Sequence, residues 1–346
     1  MAAENEGSNN GTRWAPRVWL ALRICIALLA LFALRRELSH VSLADVGRQI
    51  VDFGWRPIVA ALVCAAGSFL TLGVFEVMGL RDTAGYDDSR AARKVPARVA
   101  FITSFVANAF SQSIGLAVLT GGAVRVRAYS RYGLTGIAIA RISAFVTITA
   151  TLGLLAAGAV ALLESPASLP GRFTISLRAF GLILSLPAVA YVGWALIGRG
   201  NIGGKRWSMR PPTRRMAFAQ VALSVFDWLL TGTVLFALLQ ASTQIGYFGF
   251  LGIYLVAQTA GVVSHVPGGF GIFEGAFLSL LSTTSAGPGA SVLAASLVMY
   301  RVIYYLVPLV VAMVIAGLAD LRFKGIMKIH TARRTDAFVH DGIRAG

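Results

Sequence analysis

Long apolar stretches separated by short polar segments form the dominant pattern of this chain. A helix needs about 20 apolar residues to cross the hydrocarbon core of a membrane. Six stretches come close to or exceed that length, at 18–34, 57–80, 137–163, 174–197, 216–240 and 290–318. No stretch shows the ten-residue alternation that is typical of a membrane β-barrel strand. The pattern therefore predicts an all-α, polytopic membrane protein with six spans.

Two further apolar regions, 99–128 and 247–281, are each interrupted by a glycine pair. The pairs are Gly121-Gly122 and Gly268-Gly269, and we predict a glycine-broken helical hairpin at each. Interrupted backbone at membrane depth is tolerated only where protein covers it or water reaches it. Both glycine pairs are therefore candidate positions for a functional site.

Composition and charge support this assignment. Of the 346 residues 56% are hydrophobic and 13% charged, and the mean hydropathy is +0.72. The formal net charge of +16 arises from 31 Lys and Arg against 15 Asp and Glu. In a membrane protein such an excess lies in cytoplasmic loops beside anionic lipid headgroups. We therefore expect anionic lipid, and no nucleic acid, as the partner of these charges.

The basic segments also predict the orientation. Segments 81–98 and 198–215 and the tail after Leu318 are rich in Lys and Arg, whereas 241–246 and 282–289 carry no charge. The positive-inside rule assigns the first group to the cytoplasm and the second to the outside. The expected organisation is a cytoplasmic tail (1–17), one multi-pass transmembrane domain (18–318) and a basic cytoplasmic tail (319–346).

This orientation predicts an inverted repeat. Units of about 57–163 and 216–318 would each contain a helix, a hairpin and a helix, but would cross the membrane in opposite directions. Inverted repeats with broken helices are a common transporter design. The two units also share ionisable residues at comparable positions, namely Glu76 with Asp227, Arg127 with Glu274, and Arg141 with Arg301.

The first glycine pair precedes two arginines, Arg125 and Arg127. Glycines allow close approach, free amides at a helix start favour anions, and a guanidinium binds phosphate with two parallel hydrogen bonds. Gly121, Gly122, Arg125 and Arg127 are therefore candidates for binding a phospholipid headgroup. The alternative is that these arginines, with Arg131, form a basic rim that reaches lipid phosphates from the cytoplasmic surface.

The second glycine pair, Gly268-Gly269, precedes Glu274. A carboxylate at membrane depth is costly and functional by default, so Glu274 is a candidate for binding a cationic headgroup or a proton. The alternative is a structural salt bridge to Arg301 in the last span. Arg301 is itself a candidate, and its aromatic sequence neighbours allow a cation–π contact.

Secondary candidates are Glu76, Asn108, Asp227 and His265. His265 could titrate near neutral pH. Asn108, with Ser111, Gln112 and Ser113, could line a lipid path or join helices. The histidines are scattered and both cysteines, Cys25 and Cys64, lie in apolar segments, so we expect no metal and no cofactor. Motifs for phosphate-binding loops, nucleophile elbows and zinc helices are missing, and we expect no enzyme activity.

The special runs resemble those of a known family. They are Thr120-Gly121-Gly122 leading to Arg125-Val126-Arg127-Ala128-Tyr129, Val266-Pro267-Gly268-Gly269-Phe270-Gly271 leading to Glu274, and Tyr300-Arg301 leading to Tyr304-Tyr305-Leu306 and Pro308. Together they resemble the membrane domain of lysylphosphatidylglycerol synthase, the multiple peptide resistance factor family, in its stand-alone form. The resemblance implies a flippase for aminoacylated phosphatidylglycerol. The 28 residues from Ala319 onward are too few for an aminoacyltransferase domain, so we expect no lipid synthesis.

The leading hypothesis is a lipid flippase or lipid transporter that moves an anionic or aminoacylated phospholipid, similar to lysylphosphatidylglycerol, between leaflets. A second hypothesis is a membrane enzyme or accessory subunit that acts on a lipid-linked sugar. A scaffold without transport is the third. A separate aminoacyltransferase is the partner expected under the first hypothesis, and a glycosyltransferase under the second.

Overall fold

The computed structural model describes residues 43–114, 117–164, 177–198, 202–204, 207–239, 245–264, 266–281 and 289–318. In order, the α-helices of these ranges are α1 (Leu43–Asp52), α2 (Trp55–Thr83), α3 (Ala97–Ile114), α4 (Ala117–Tyr129), α5 (Gly136–Glu164), α6 (Leu177–Ile197), α7 (Arg214–Leu239), α8 (Tyr247–Val263), α9 (Ile272–Leu281) and α10 (Ala290–Arg301). After Arg301 the chain makes a π-helical turn, Val302–Leu306, and continues as helix to Leu318.

Shorter elements connect these helices. Three 3₁₀ segments lie at Asp87–Lys94, Ser130–Tyr132 and Pro267–Gly269. Strands β1 (Ile202–Gly204) and β2 (Trp207–Met209) pair antiparallel between α6 and α7. The described part of the chain is thus overwhelmingly helical, which confirms the all-α class.

Four helices are long and apolar enough to cross a membrane. They are Trp55–Thr83, Gly136–Leu163, Arg214–Leu239 and Ser291–Leu318, with 26 to 29 residues each. They coincide with the predicted spans at 57–80, 137–163, 216–240 and 290–318. The apolar part of α6, Gly181–Ile197, is shorter than the span predicted at 174–197. The span predicted at 18–34 lies outside the described residues.

The first hairpin forms, but its break was predicted at the wrong place. Helices α3 and α4 pack side by side, and Thr120 Oγ1 donates a hydrogen bond to Ser111 Oγ at 3.3 Å. Gly121 and Gly122 lie inside α4, and the two helices are instead separated between Ile114 and Ala117. A Cβ atom on Gly121 would lie 2.6 Å from Ser111 Oγ. Gly121 therefore serves close helix packing, as small residues often do in membranes, and does not serve a turn.

The second hairpin is broken where the sequence predicts. Gly268 and Gly269 have φ values of 60° and 63°, and Gly271 has 77°. Residues with a Cβ rarely adopt this left-handed region, which explains the cluster of glycines. Beyond the turn α9 packs back against α8, and a Cβ atom on Gly261 of α8 would lie 3.6 Å from the Cα of Gly269 in the turn.

The core is formed where the long helices and the second hairpin meet. Phe75 of α2, Leu235 of α7, Tyr254 of α8 and Tyr300 of α10 are completely buried there. By contrast, α6 exposes a series of large apolar side chains, including Leu182, Ile183, Leu186 and Val189. This distribution fits a bundle whose core is packed by protein and whose periphery is solvated by lipid tails.

One contact fixes which ends of the long helices lie together. The ring of Tyr86, which follows α2, lies between the guanidinium groups of Arg141 and Arg210, with centroid distances of 4.3 and 5.1 Å. The backbone N–H of Arg210 also donates to the Tyr86 hydroxyl at 3.1 Å. Since Arg210 lies only four residues before the start of α7 at Arg214, α7 begins at the end of the bundle where α2 finishes.

Candidate functional site

The turn of the second hairpin meets the tip of the first. A Cβ atom on Gly268 would lie 3.4 Å from the backbone carbonyl oxygen of Gln112, which is two residues before the end of α3. Next to it, the Ser113 hydroxyl donates to the carbonyl of Tyr305 in the π-helical turn at 3.5 Å. The candidate site is this junction of two hairpin tips and the last helix.

A buried ion pair holds the second hairpin at this junction. Arg301 Nε donates to Glu274 Oε1 at 2.7 Å, and Nη2 donates to the same oxygen. Arg301 Nη1 donates to the carbonyl of Gly268 at 2.5 Å, directly at the turn. Glu274 Oε2 accepts the N–H of Gly271 at 2.8 Å and so caps the start of α9 in the manner of a capping box. The salt bridge considered in the sequence analysis is therefore present.

Aromatic rings enclose the Arg301 guanidinium. Its central carbon lies 4.4 Å from the ring centroid of Phe270, 4.6 Å from Tyr305 and 5.5 Å from Phe273. The contact with Tyr305 was expected from the local sequence, whereas Phe270 and Phe273 come from the hairpin. The π-helical turn buries Tyr304 and Tyr305 together, and such turns are frequent at functional sites.

A second buried ion pair holds the first hairpin. Arg125 donates from Nε to Glu76 Oε1 at 2.8 Å and from Nη2 to Oε2 at 2.7 Å, a two-pronged arrangement typical of strong Arg–carboxylate pairs. The Tyr129 hydroxyl also donates to Glu76 Oε1 at 2.9 Å. Glu76 is fully buried, so α4 is fixed to α2 by a saturated carboxylate.

The predicted phosphate-binding arginines are separated by the fold. Arg125 is buried with Glu76, whereas Arg127 and Arg131 lie exposed at the surface. Arg125 and Arg127 therefore do not form one two-arginine site beside Gly121 and Gly122. Since residues two apart on a helix face different directions, this separation follows from the helical geometry of α4.

The arginines that the sequence analysis matched between the two units, Arg141 and Arg301, have different contacts in the structure. Arg301 contacts the hairpin, but Arg141 lies beside Tyr86 and donates to Ser89 Oγ at 3.2 Å. Arg125, two residues before Arg127, takes part in the buried ion pair of the first hairpin. The described residues contain two hairpin ion pairs: Glu76 with Arg125 joins α2 to the first hairpin, and Glu274 with Arg301 joins the second hairpin to α10.

Asp227 lies in a separate polar cluster between α2, α7 and the π-helical turn. Ser68 Oγ donates to Asp227 Oδ1 at 2.7 Å and lies 2.9 Å from the Tyr304 hydroxyl. The Thr231 hydroxyl donates to the backbone carbonyl of Asp227 at 2.7 Å. Sequence reasoning identified Asp227 but missed its partners, because uncharged hydroxyls from three separate segments carry no local pattern.

The remaining candidates have simpler surroundings. Asn108 donates to the carbonyl and hydroxyl of Ser104, one turn earlier in its own helix, at 2.8 and 3.1 Å. Gln112 has a buried side-chain oxygen without a hydrogen-bond partner in the described ranges. His265 lies outside the described residues. No cluster of three metal-ligating side chains occurs in the part of the chain that the structure describes.

These features define a polytopic helical membrane protein with two helical hairpins, each attached to a long helix by a buried ion pair. The family model for the lysylphosphatidylglycerol synthase transmembrane region matches residues 18–312. The chain belongs to this family.

Its relatives include both short and long proteins. The uncharacterised protein slr0712 of Synechocystis sp. is 31% identical over 312 residues, which cover 87% of this chain and 91% of that protein. The inner membrane protein YbhN of Escherichia coli is 28% identical over 303 residues, 86% of this chain and 89% of that protein. Phosphatidylglycerol lysyltransferase of Bacillus subtilis is 26% identical over 324 residues, which cover 90% of this chain but only 35% of the enzyme.

Proposed function

We propose that the protein is a lipid flippase or lipid transporter of the bacterial inner membrane. The observation that carries the proposal is the meeting of two hairpin tips inside the bundle, where Gly268 approaches the backbone of Gln112. Helices that end within a membrane expose backbone polar groups and give a transporter a site near the midplane. Membership of the lysylphosphatidylglycerol synthase family supports a phospholipid as the transported molecule.

The contacts support an inverted arrangement of the two units. Because Arg210 contacts Tyr86, α7 begins where α2 ends, so the two helices run in opposite directions. The first hairpin starts after α2 and the second after α7. Their bases therefore lie at opposite ends of the bundle, although their tips meet.

An anionic or aminoacylated phospholipid fits the surroundings of this junction. Exposed arginines at the base of the first hairpin, including Arg98, Arg127 and Arg131, attract anionic headgroups to the cytoplasmic surface. At the tips, the buried side-chain oxygen of Gln112 is an acceptor that an ammonium or hydroxyl of a headgroup can satisfy. The lipid tails would remain beside the exposed apolar faces of the bundle, so that only the headgroup needs a polar path.

The transport step that we propose is a rocking of one unit against the other around the hairpin tips. Each ion pair joins a hairpin to a helix of its own unit, Glu76 to Arg125 in the first and Glu274 to Arg301 in the second. Each unit can therefore move as one body. The two units are joined by the contact of Gln112 with Gly268 and by hydrogen bonds from Ser113 to Tyr305 and from Ser68 to Asp227. In the proposed step the contacts at the hairpin tips open to admit a headgroup.

Transport can be tested with purified protein in liposomes and a leaflet-specific assay. Fluorescent or aminoacylated phosphatidylglycerol is placed in one leaflet, and its appearance in the other is compared with that in protein-free vesicles. We expect acceleration by the protein, and none for a lipid-linked sugar. Equal rates with and without protein for all phospholipids would contradict the proposal.

A disulfide between the tips tests the mechanism in the same assay. In a background without Cys25 and Cys64, Gln112→Cys with Gly268→Cys should cross-link on oxidation and stop transport, and reduction should restore it. The matched control is Ser111→Cys with Thr120→Cys, whose side chains touch within the first hairpin. That cross-link should leave transport active because it does not join the two units. Full activity of the tip-to-tip cross-linked protein would exclude the rocking step.

A further inference from the structure

Three buried carboxyl groups occur among the described residues, and they differ in how many hydrogen bonds they accept. Glu76 is bound by Arg125 and by the Tyr129 hydroxyl, and Glu274 is bound by Arg301 and the N–H of Gly271. An ionised carboxylate out of water needs several donors or a counter-cation, and both groups have them. Glu76 and Glu274 therefore each have a counter-cation and more than one hydrogen-bond donor.

Asp227 has neither a counter-cation nor several donors. Asp227 is 5% exposed, and among the described residues its carboxyl group accepts one hydrogen bond, from the Ser68 hydroxyl to Oδ1. Within the described ranges no lysine, arginine or histidine lies at salt-bridge distance from it. The titratable groups that face it are neutral phenols, Tyr304 from the π-helical turn and Tyr254 from α8.

The hydroxyl groups of the cluster also leave Asp227 Oδ2 without a hydrogen-bond donor. Ser68 has one proton and donates it to Asp227 Oδ1, so the Tyr304 hydroxyl must donate to Ser68 Oγ. Thr231 donates its proton to the backbone carbonyl of Asp227. Each hydroxyl is thereby used once, and none of the three protons reaches Asp227 Oδ2.

Asp227 also lies at the middle of its span. It is 13 residues after Arg214 and 12 before Leu239, the ends of α7, which places it about 18 to 20 Å from either end of the helix. A lone carboxylate is strongly disfavoured at that depth, whereas the neutral acid is tolerated much better. Ser68 Oγ lies 2.7 Å from Asp227 Oδ1 and 2.9 Å from the Tyr304 hydroxyl, so these oxygens are joined by hydroxyl protons and not by a bound cation.

From this geometry we infer that Asp227 is a proton-binding site at the centre of the bundle, and that its proton couples lipid movement to the pH gradient. The carboxylate takes up one proton at Oδ2 from one side and releases it to the other when the bundle changes conformation. Ser68 and Tyr304 position the carboxyl through Oδ1. The coupling rests on the proposed transport function, but the occupancy of the site by a proton does not.

Infrared difference spectroscopy of the purified protein tests the occupancy without any transport. Wild type at neutral pH should show the carbonyl stretch of a protonated carboxylic acid, and Asp227→Asn should abolish this band. Ser68→Ala should keep the band but move it to higher frequency, since the hydrogen bond to Oδ1 is lost. Asp52→Asn, which changes an exposed acid in α1, is the matched control and should leave the band unchanged. A band that persists in Asp227→Asn, or none in wild type, would overturn the proton site.

Liposomes with an imposed pH gradient test the coupling. With one proton per lipid, the wild-type ratio of lipid between leaflets should shift up to about tenfold per pH unit, and Asp227→Asn should show no shift. If wild type transports lipid but ignores the gradient, or responds to sodium in its place, the coupling fails while the transport function stands. If no lipid moves under any gradient, the proposed transport function is wrong. The infrared band then still shows whether Asp227 binds a proton, since that measurement needs no transport.

Discussion

The two hairpins are held by the same kind of ion pair, but at different points along their length. In the first, Arg125 lies eight residues after Ala117, the start of α4, so its bond to Glu76 is about 12 Å from the tip. In the second, Glu274 is the third residue of α9, and Arg301 also binds the carbonyl of Gly268 in the turn itself. The first hairpin is thus fixed near its base and the second at its tip.

This difference assigns different roles to the two tips. The turn of the second hairpin is held by Arg301, by the Glu274 cap and by the surrounding rings, so it forms a rigid surface at the junction. The tip of the first hairpin is attached to the last helix through a longer contact, the 3.5 Å bond from Ser113 to Tyr305. We therefore expect the first tip to move when a headgroup passes and the second to stay fixed.

The largest effect should follow from removing Arg301. Arg301→Met leaves Glu274 buried without a counter-charge and frees the carbonyl of Gly268, so the free energy of unfolding should fall by about 3 to 5 kcal/mol. Thermal unfolding in detergent micelles measures the change. The double variant Arg301→Met with Glu274→Leu should recover much of the loss, because no unpaired charge remains. If the double variant is as unstable as the single one, the ion pair is not what holds the turn.

A smaller loss is expected at the first hairpin. Glu76→Gln leaves Arg125 without a counter-charge but keeps an acceptor oxygen for Arg125 and Tyr129, whereas Arg301→Met removes every donor to Glu274. The loss should therefore be about 1.5 to 3 kcal/mol in the same unfolding measurement. Arg127→Gln is the matched control, since Arg127 is exposed two residues from Arg125, and it should change stability by less than about 0.5 kcal/mol. A larger loss in Arg127→Gln than in Glu76→Gln would contradict the assignment of Arg125 as the pairing arginine.

The two glycine pairs should respond in opposite directions to alanine. Gly269→Ala forces a side chain into a φ of 63° and against the Gly261 backbone at 3.2 Å, and should destabilise the protein by about 1 to 2 kcal/mol. Gly122→Ala has open space within 4 Å and lies in a helix, so it should be neutral or stabilise by up to about 1 kcal/mol. Circular dichroism melts of the two variants provide the comparison. Equal destabilisation by both would indicate a turn at Gly122 after all.

The parts of the fold that could be predicted from sequence are those with a long apolar signal. The spans at 57–80, 137–163, 216–240 and 290–318 were found because length and hydropathy alone decide them. The turn at Gly268 was found because it combines a proline with several glycines. The break predicted at Gly121 was wrong. A glycine that allows close helix packing cannot be distinguished by its local sequence from a glycine that allows a turn.

The site was predictable in its charges but not in their pairing. Glu76 and Glu274 were identified as acids within apolar segments, Arg125 from the glycine pair before it, and Arg301 from its aromatic neighbours and its possible pairing with Glu274. The partner of Arg125 is 49 positions away in the sequence, and no local spacing indicates such a contact. For the same reason the hydroxyls around Asp227 were not foreseen, since they come from α2, α7 and the last helix.

The central claim is that the two hairpins enter the bundle from opposite sides of the membrane, and labelling from one side tests it most directly. In a background without Cys25 and Cys64, single cysteines replace exposed residues at the hairpin bases, Lys94 and Ser130 for the first and Gly246 and Gly289 for the second. In intact cells a membrane-impermeant thiol reagent should label the cysteines at 246 and 289, and those at 94 and 130 only after the membrane is opened. Labelling of all four positions from the same side would contradict the account.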